Sequence, residues 1–159
     1  MLDGFSIKRD LSGEPCTLLH CVQGLENCPA LSFTGRTTTE RKKFLASVRV
    51  MFTDGPGFMH VDTDGILHVS LKYWKAGELV TIYLDLVHEL VHVVQLRDGA
   101  DLYDETYDYV DRPTEIEAYK TAVAEAKRLK LPKRVILDHM DVPWLDEEEK
   151  RRIEKNAGL

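Results

Sequence analysis

Apolar and polar positions show no sustained period over residues 1–35, where Gly4, Gly13, Pro15, Gly24, Pro29 and Gly35 punctuate the chain. This stretch reads as irregular cover with short elements. The pattern changes at Thr37. Thr37-Thr38-Thr39-Glu40 fits a capping box, and Phe44, Leu45, Val48, Met51 and Phe52 follow at helical spacing, predicting an amphipathic helix that Asp54-Gly55-Pro56-Gly57 ends. Residues 58–74 are divided by Asp64-Gly65, a hairpin signal that predicts two antiparallel strands. In the second strand Leu67, Val69, Leu71 and Tyr73 alternate with His68, Ser70, Lys72 and Trp74, so one face meets a core and the other faces solvent or a cleft. Gly77 breaks that pattern.

From Glu78 to Leu96 the chain is apolar almost all the way round, which predicts a buried helix. Its length also suits a membrane span, but Glu78, Asp85, Glu89 and two histidines would be costly in lipid, so it reads as the central helix of a core. Residues 98–111 carry six acids among tyrosines without the twelve-residue spacing of an EF-hand, and read as a solvated loop. Pro113 suits the first turn of a helix running to about Lys130, and shorter helices follow around 133–140 and 146–157. Strands followed by helices predict an α+β fold, in one domain over residues 1–159.

A net charge of −6 argues against a nucleic-acid-binding face. The first residues lack the basic start and apolar run of a signal peptide, so the expected address is cytoplasmic, with no membrane attachment. Cys16, Cys21 and Cys28 are an odd set and read as reduced thiols. With His20 they would make four metal donors, but no tight C-x2-C knuckle is present.

Chemistry concentrates in His88-Glu89-Leu90-Val91-His92. Residues four apart on a helix stand one above the other, so both imidazoles aim at one point, as zinc requires. Glu89 is rotated by about 100° from His88, which leaves it beside the metal as a base. With six histidines in 159 residues the pattern arises by chance roughly 0.02 times per shuffled chain. A buried unpaired carboxylate is also expensive, and a cation compensates it.

A catalytic zinc takes three protein ligands, so one more is required. The segment after His92 has neither the glycine nor the histidine of the metzincin extension, which leaves Glu115 and Glu117. They lie about 200° apart around a helix and cannot both face inward. Glu115 shares its face with Ala118, Tyr119, Ala122, Ala126 and Leu129, whereas Glu117 lies with Lys120, Thr121, Ala124 and Arg128. Periodicity therefore assigns Glu115 to the metal and Glu117 to solvent or an outer position.

HELVH followed by E-x-E-A on a second helix resembles the gluzincin metallopeptidases, especially minimal ones and ImmA/IrrE-type proteins, over residues 58–126. The resemblance implies a small zincin-like domain. A short antiparallel sheet or hairpin would pack on the buried HExxH helix; the cysteine-rich N-terminus has no counterpart there, and the cover over residues 1–35 and the helices over 132–159 are read from the sequence pattern. It also implies a Zn2+ cofactor on His88, His92 and Glu115, Glu89 as the catalytic base, and a peptide or protein substrate. Tyr119 departs from the small or acidic residue usual after the alanine of that element.

On this reading the metal activates water and polarises a scissile carbonyl while Glu89 moves the proton. An extended substrate is expected along the strand near His68 to Trp74. Tyr103, Tyr107, Tyr109, Tyr119, His60, His68 and Arg112 are candidates to share the oxyanion charge. Asp85, one turn before His88, is a candidate to orient a histidine. The main alternative is a regulatory zinc-binding protein of ImmA/IrrE type acting through a protein partner. A deformylase, which also uses HExxH, needs a cysteine ligand in an E-G-C-type segment, and none is present.

Overall fold

The computed structural model describes Leu2 and residues 4–159, and these divide into two compact units, one ending at Tyr83 and one from Leu84 to Leu159. The fold is α+β.

In the first unit the N-terminal stretch forms short elements. Strand β1 (Ser6–Ile7) pairs antiparallel with β3 (Val22–Gln23), and β2 (Cys16–Thr17) leads into the one-turn helix α1 (Leu18–Cys21). Gly24, at φ +84°, makes the next turn possible: a Cβ there would fall 2.5 Å from the Gly4 carbonyl oxygen. Helix α2 (Thr38–Ser47) begins at the predicted capping box. The Thr37 hydroxyl accepts from the Glu40 amide at 3.1 Å, and the Glu40 carboxylate accepts from the Thr37 amide at 3.0 Å.

Two expectations fail in this unit. The helical pattern was extended through Phe52, but α2 stops at Ser47, and Arg49–Thr53 is strand β4. Val50 and Phe52 lie two apart in a β-branched and aromatic run, and pairing decides the outcome: β4 runs parallel to β6 (Leu67–Ser70), Val50 beside Leu67. The sheet is therefore four-stranded and mixed, ordered β2-β4-β6-β5 with β5 at Met59–Val61, rather than only antiparallel. The predicted hairpin is present as β5 (Met59–Val61) against β6, with the Asp62 carboxylate accepting from the Asp64 and Ile66 amides at the turn.

The second failure concerns β6, which ends at Ser70. The Ser70 hydroxyl caps helix α3 (Leu71–Ala76) by accepting from the Tyr73 amide. Trp74, fully buried, donates its indole N–H to the Lys8 carbonyl at 2.8 Å, and Arg9 donates to the carbonyls of Trp74 and Gly77. Strand β6 has a neighbour on each side, so the substrate track expected along His68 to Trp74 is not an exposed edge. The edge positions belong to β2 and β5.

Helix α4 (Leu79–Arg97) is the predicted apolar helix; from Ile82 to Val93 every residue but Asp85 is buried. It is the one described helix long and apolar enough to cross a bilayer, and 67% of its most apolar window is buried in the fold. Its residues from Leu84 onward belong to the second unit, with α5 (Pro113–Arg128), α6 (Lys133–Met140) and α7 (Glu147–Asn156), all close to their predicted bounds. Helix α5 buries Glu115, Ala118, Tyr119, Ala122 and Ala126 of the face assigned by periodicity, together with Val123 and Glu125 outside it, while Leu129 is half-buried. The acidic segment before it is held by α7: Arg152 pairs with Asp108 and Asp111, and Asn156 donates to the Val110 carbonyl.

Candidate metal centre

Three donors from two helices meet within the second unit. His88 and His92, one turn apart on α4, bring their Nε2 atoms to 3.1 Å of each other. Pro113 opens α5, which puts Glu115 in the first turn, where the helix N-terminus favours a carboxylate. Its Oε2 lies 3.3 Å from His88 Nε2 and 3.4 Å from His92 Nε2. All three residues are buried. Among the described residues this is the one group of His, Cys, Asp and Glu that gathers three ligand atoms within 4.8 Å of one another.

The triangle has the size a small divalent cation needs. Bonds of about 2.0–2.2 Å in a tetrahedral arrangement place neighbouring donors roughly 3.3–3.5 Å apart. The observed sides of 3.1, 3.3 and 3.4 Å agree within the tolerance of about 0.2 Å expected of such a site. Glu115 Oε2 is also buried and accepts no hydrogen bond, although two imidazole nitrogens face it. A buried carboxylate oxygen in that state is costly, and a cation among the three donors removes the cost. These residues can hold a metal ion.

The protonation pattern follows from burial and charge. Burial pulls His88 down to about 4 against the influence of Glu115, so it is neutral and a lone-pair donor near neutral pH. Burial also pulls on His92, but Glu115, with Glu89 and Gln95 adding, pushes it up to about 9. Burial disfavours charge on Glu115, yet the two imidazoles hold its carboxyl well below the usual carboxylate range. Without a metal the cluster is a His92–Glu115 ion pair beside a neutral His88.

Glu89, the expected base, is buried next to the triad, and its charge supports His92 and raises the Tyr109 and Tyr119 hydroxyls. Glu117 is exposed, as periodicity required, but it is not idle: its Oε2 accepts from Gln95 Nε2 at 2.7 Å. Gln95, whose Oε1 lies 2.8 Å from His92 Nδ1, is a residue that sequence reasoning missed. Its spacing of three from His92, on the same helix face, was the available signal.

The remaining candidates separate. Tyr119 packs its ring edge-on to His88 at 4.4 Å between centroids, and its hydroxyl is 3.1 Å from that of Tyr109. Tyr103 and Tyr107 are exposed, and Arg112 donates to the Asp104 carbonyl. His60 and His68 belong to the first unit, stacked on each other, with His68 bonded to Asp62 at 2.6 Å. The Asp85 carboxylate meets His139 Nδ1 at 2.6 Å, and the His139 ring lies edge-on to His88 and Tyr119. Cys16 and Cys21 sit with their sulfurs 2.8 Å apart, while Cys28 receives the Tyr83 hydroxyl, so the three thiols and His20 do not assemble into one metal site. Compared with known proteins, the chain matches no family model, no curated protein and no solved structure.

Proposed function

We propose that this chain is a zinc-dependent hydrolase of peptide bonds, of the gluzincin kind, with His88, His92 and Glu115 as ligands and Glu89 as the base. The observation that carries the proposal is the number and company of the donors. A structural zinc site closes with four protein ligands, whereas three leave one position for water or substrate. Here three converge, and a buried carboxylate that is not among them stands beside them. Two imidazoles and one carboxylate also suit ferrous iron, and it is Glu89 that favours hydrolysis.

When bound, the ion would polarise the scissile carbonyl and acidify a water molecule. Glu89 takes the proton from that water and returns it to the leaving amine. Glu115, in the first turn of α5, and the two histidines hold their donor atoms at fixed spacing on rigid helices, so little reorganisation precedes the reaction. Burial, with the charge of Glu115 next, pushes the Tyr109 hydroxyl far up, so it stays protonated beside the Tyr119 hydroxyl at 3.1 Å.

The test is metal analysis of the purified chain together with turnover of an unstructured peptide by the parent and Glu89→Gln. Zinc at one equivalent in both proteins, with turnover only in the parent, is the expected result. Iron in place of zinc, or turnover that survives Glu89→Gln, would overturn it. A Glu89→Gln protein that keeps its zinc and its full biological effect would point to a regulatory module that binds a partner without cleaving it.

A further inference from the structure

We propose that Gln95 is the positioning residue that decides which nitrogen of His92 is offered to the metal, and that its own orientation is dictated by a backbone carbonyl of the helix carrying Glu115. The inference rests on the metal reading above, and its argument is a chain of donors and acceptors. The Thr114 carbonyl can only accept a hydrogen bond, and it lies 3.0 Å from one end of the Gln95 amide. The Glu117 carboxylate, 2.7 Å from the same end, likewise only accepts. That end must therefore be the NH2 group, and both of its protons are used.

The amide oxygen is then left facing His92 Nδ1 at 2.8 Å. An amide oxygen cannot donate, so the proton of this hydrogen bond must sit on Nδ1. In a metal-bound imidazole carrying one proton, that leaves the Nε2 lone pair free, and Nε2 is the atom standing 3.4 Å from Glu115 Oε2 and 3.1 Å from His88 Nε2. Reversing the amide would set its oxygen against two acceptors and turn the Nε2 proton into the triangle. Gln95 is 8% exposed, so water offers little substitute for these contacts.

The same amide has a second effect. Thr114 and Glu117 lie on either side of Glu115 in the chain, so the two bonds that orient Gln95 also fix the turn of α5 that presents the carboxylate ligand. One side chain of α4 thereby sets the tautomer of one ligand and the placement of another. Outer hydrogen bonds of this kind typically change metal affinity by about 10- to 100-fold when removed.

The experiment compares the parent, Gln95→Met and the conservative Glu117→Gln. Zinc affinity is measured by competition with a chromophoric chelator, and the His92 ring is followed by nitrogen-15 NMR of the zinc-loaded proteins. Gln95→Met keeps the volume and is expected to bind zinc roughly 10- to 100-fold more weakly, with loss of the slowly exchanging Nδ1 proton of His92. In Glu117→Gln the side-chain oxygen at that position still accepts from Gln95, and the bond to the Thr114 carbonyl is untouched, so the amide keeps its orientation. That protein is expected to keep most of the affinity and the protected proton.

A Gln95→Met protein with the parent's affinity and an unchanged Nδ1 signal overturns the inference and leaves the metal reading intact. A Glu117→Gln protein as weak as Gln95→Met, with both proteins folded, also overturns it. A parent that binds no zinc overturns the metal reading and this inference together.

Discussion

On the proposed metal reading, replacing Glu115 by Ala removes a ligand and, at the same time, the group that holds a proton on His92, so its effect must depend on pH. Four-ligand zinc sites bind with about 10–16 kcal/mol, roughly 3–4 kcal/mol per donor, so losing one donor weakens binding by about two to three powers of ten. The opposing effect comes from His92. Its pKa is raised to about 9, so below that pH the parent carries a proton on the site that zinc must displace. The sign is that of a raised basic group: the proton is held below the folded value, and parent affinity climbs about tenfold per pH unit until about pH 9.

Glu115→Ala relieves most of that competition, because the largest attraction is gone and only Glu89 and Gln95 still oppose burial, which then pulls His92 down. The variant's deficit is therefore about one- to tenfold near pH 7 and roughly 30- to 300-fold near pH 8.5. Chelator competition over this range measures it directly. Equal affinity of variant and parent at every pH would remove Glu115 from the ligand set, and a deficit that does not change with pH would remove the His92–Glu115 ion pair.

Three further outcomes are expected. Glu89→Gln should lower peptide turnover by about 10²- to 10⁴-fold, measured with a fluorogenic peptide, while zinc content stays at the parent's level. Arg128 grips Glu125, whose side chain is 1% exposed, through two bonds of 2.8 Å. Arg128→Ala should cost about 2 kcal/mol in chemical denaturation, less than a fully buried pair because the guanidinium is 39% exposed, and adding Glu125→Leu should restore stability. Thr37→Ala should cost about 1 kcal/mol by loss of the α2 cap; an unchanged denaturation midpoint would show that α2 is held by packing alone.

Much of the site was legible because its rules are local. The spacing of His88 and His92 is a helical period, and the choice of Glu115 over Glu117 follows from the angle between residues two apart. The structure places the first in the triad and the second on the exposed side. The cap at Thr37, the turn at Asp64-Gly65 and the entry of Pro113 into α5 are local as well. A side chain reaching three or four residues along its own chain needs nothing from the rest of the fold.

The errors and omissions share the opposite property. Val48 to Phe52 satisfies a helical count and a strand count equally, and only the parallel partner at Leu67–Ser70 decides for the strand. Strand β6 was read through to Trp74 because alternation continues there, but the Ser70 hydroxyl offers the backbone a helix instead, and the buried Trp74 anchors it. Gln95 was invisible because a glutamine on a helix face means little until the Thr114 carbonyl and Glu117 are brought against it. The sequence by itself determined the one-turn spacing of His88 and His92, the carboxylate of Glu89 next to them and the inward turn of Glu115, all consequences of period within single helices. Only the tertiary structure decided the strand order, the donor triangle and the amide that aims His92, since each depends on which distant groups the folded chain leaves to satisfy one another.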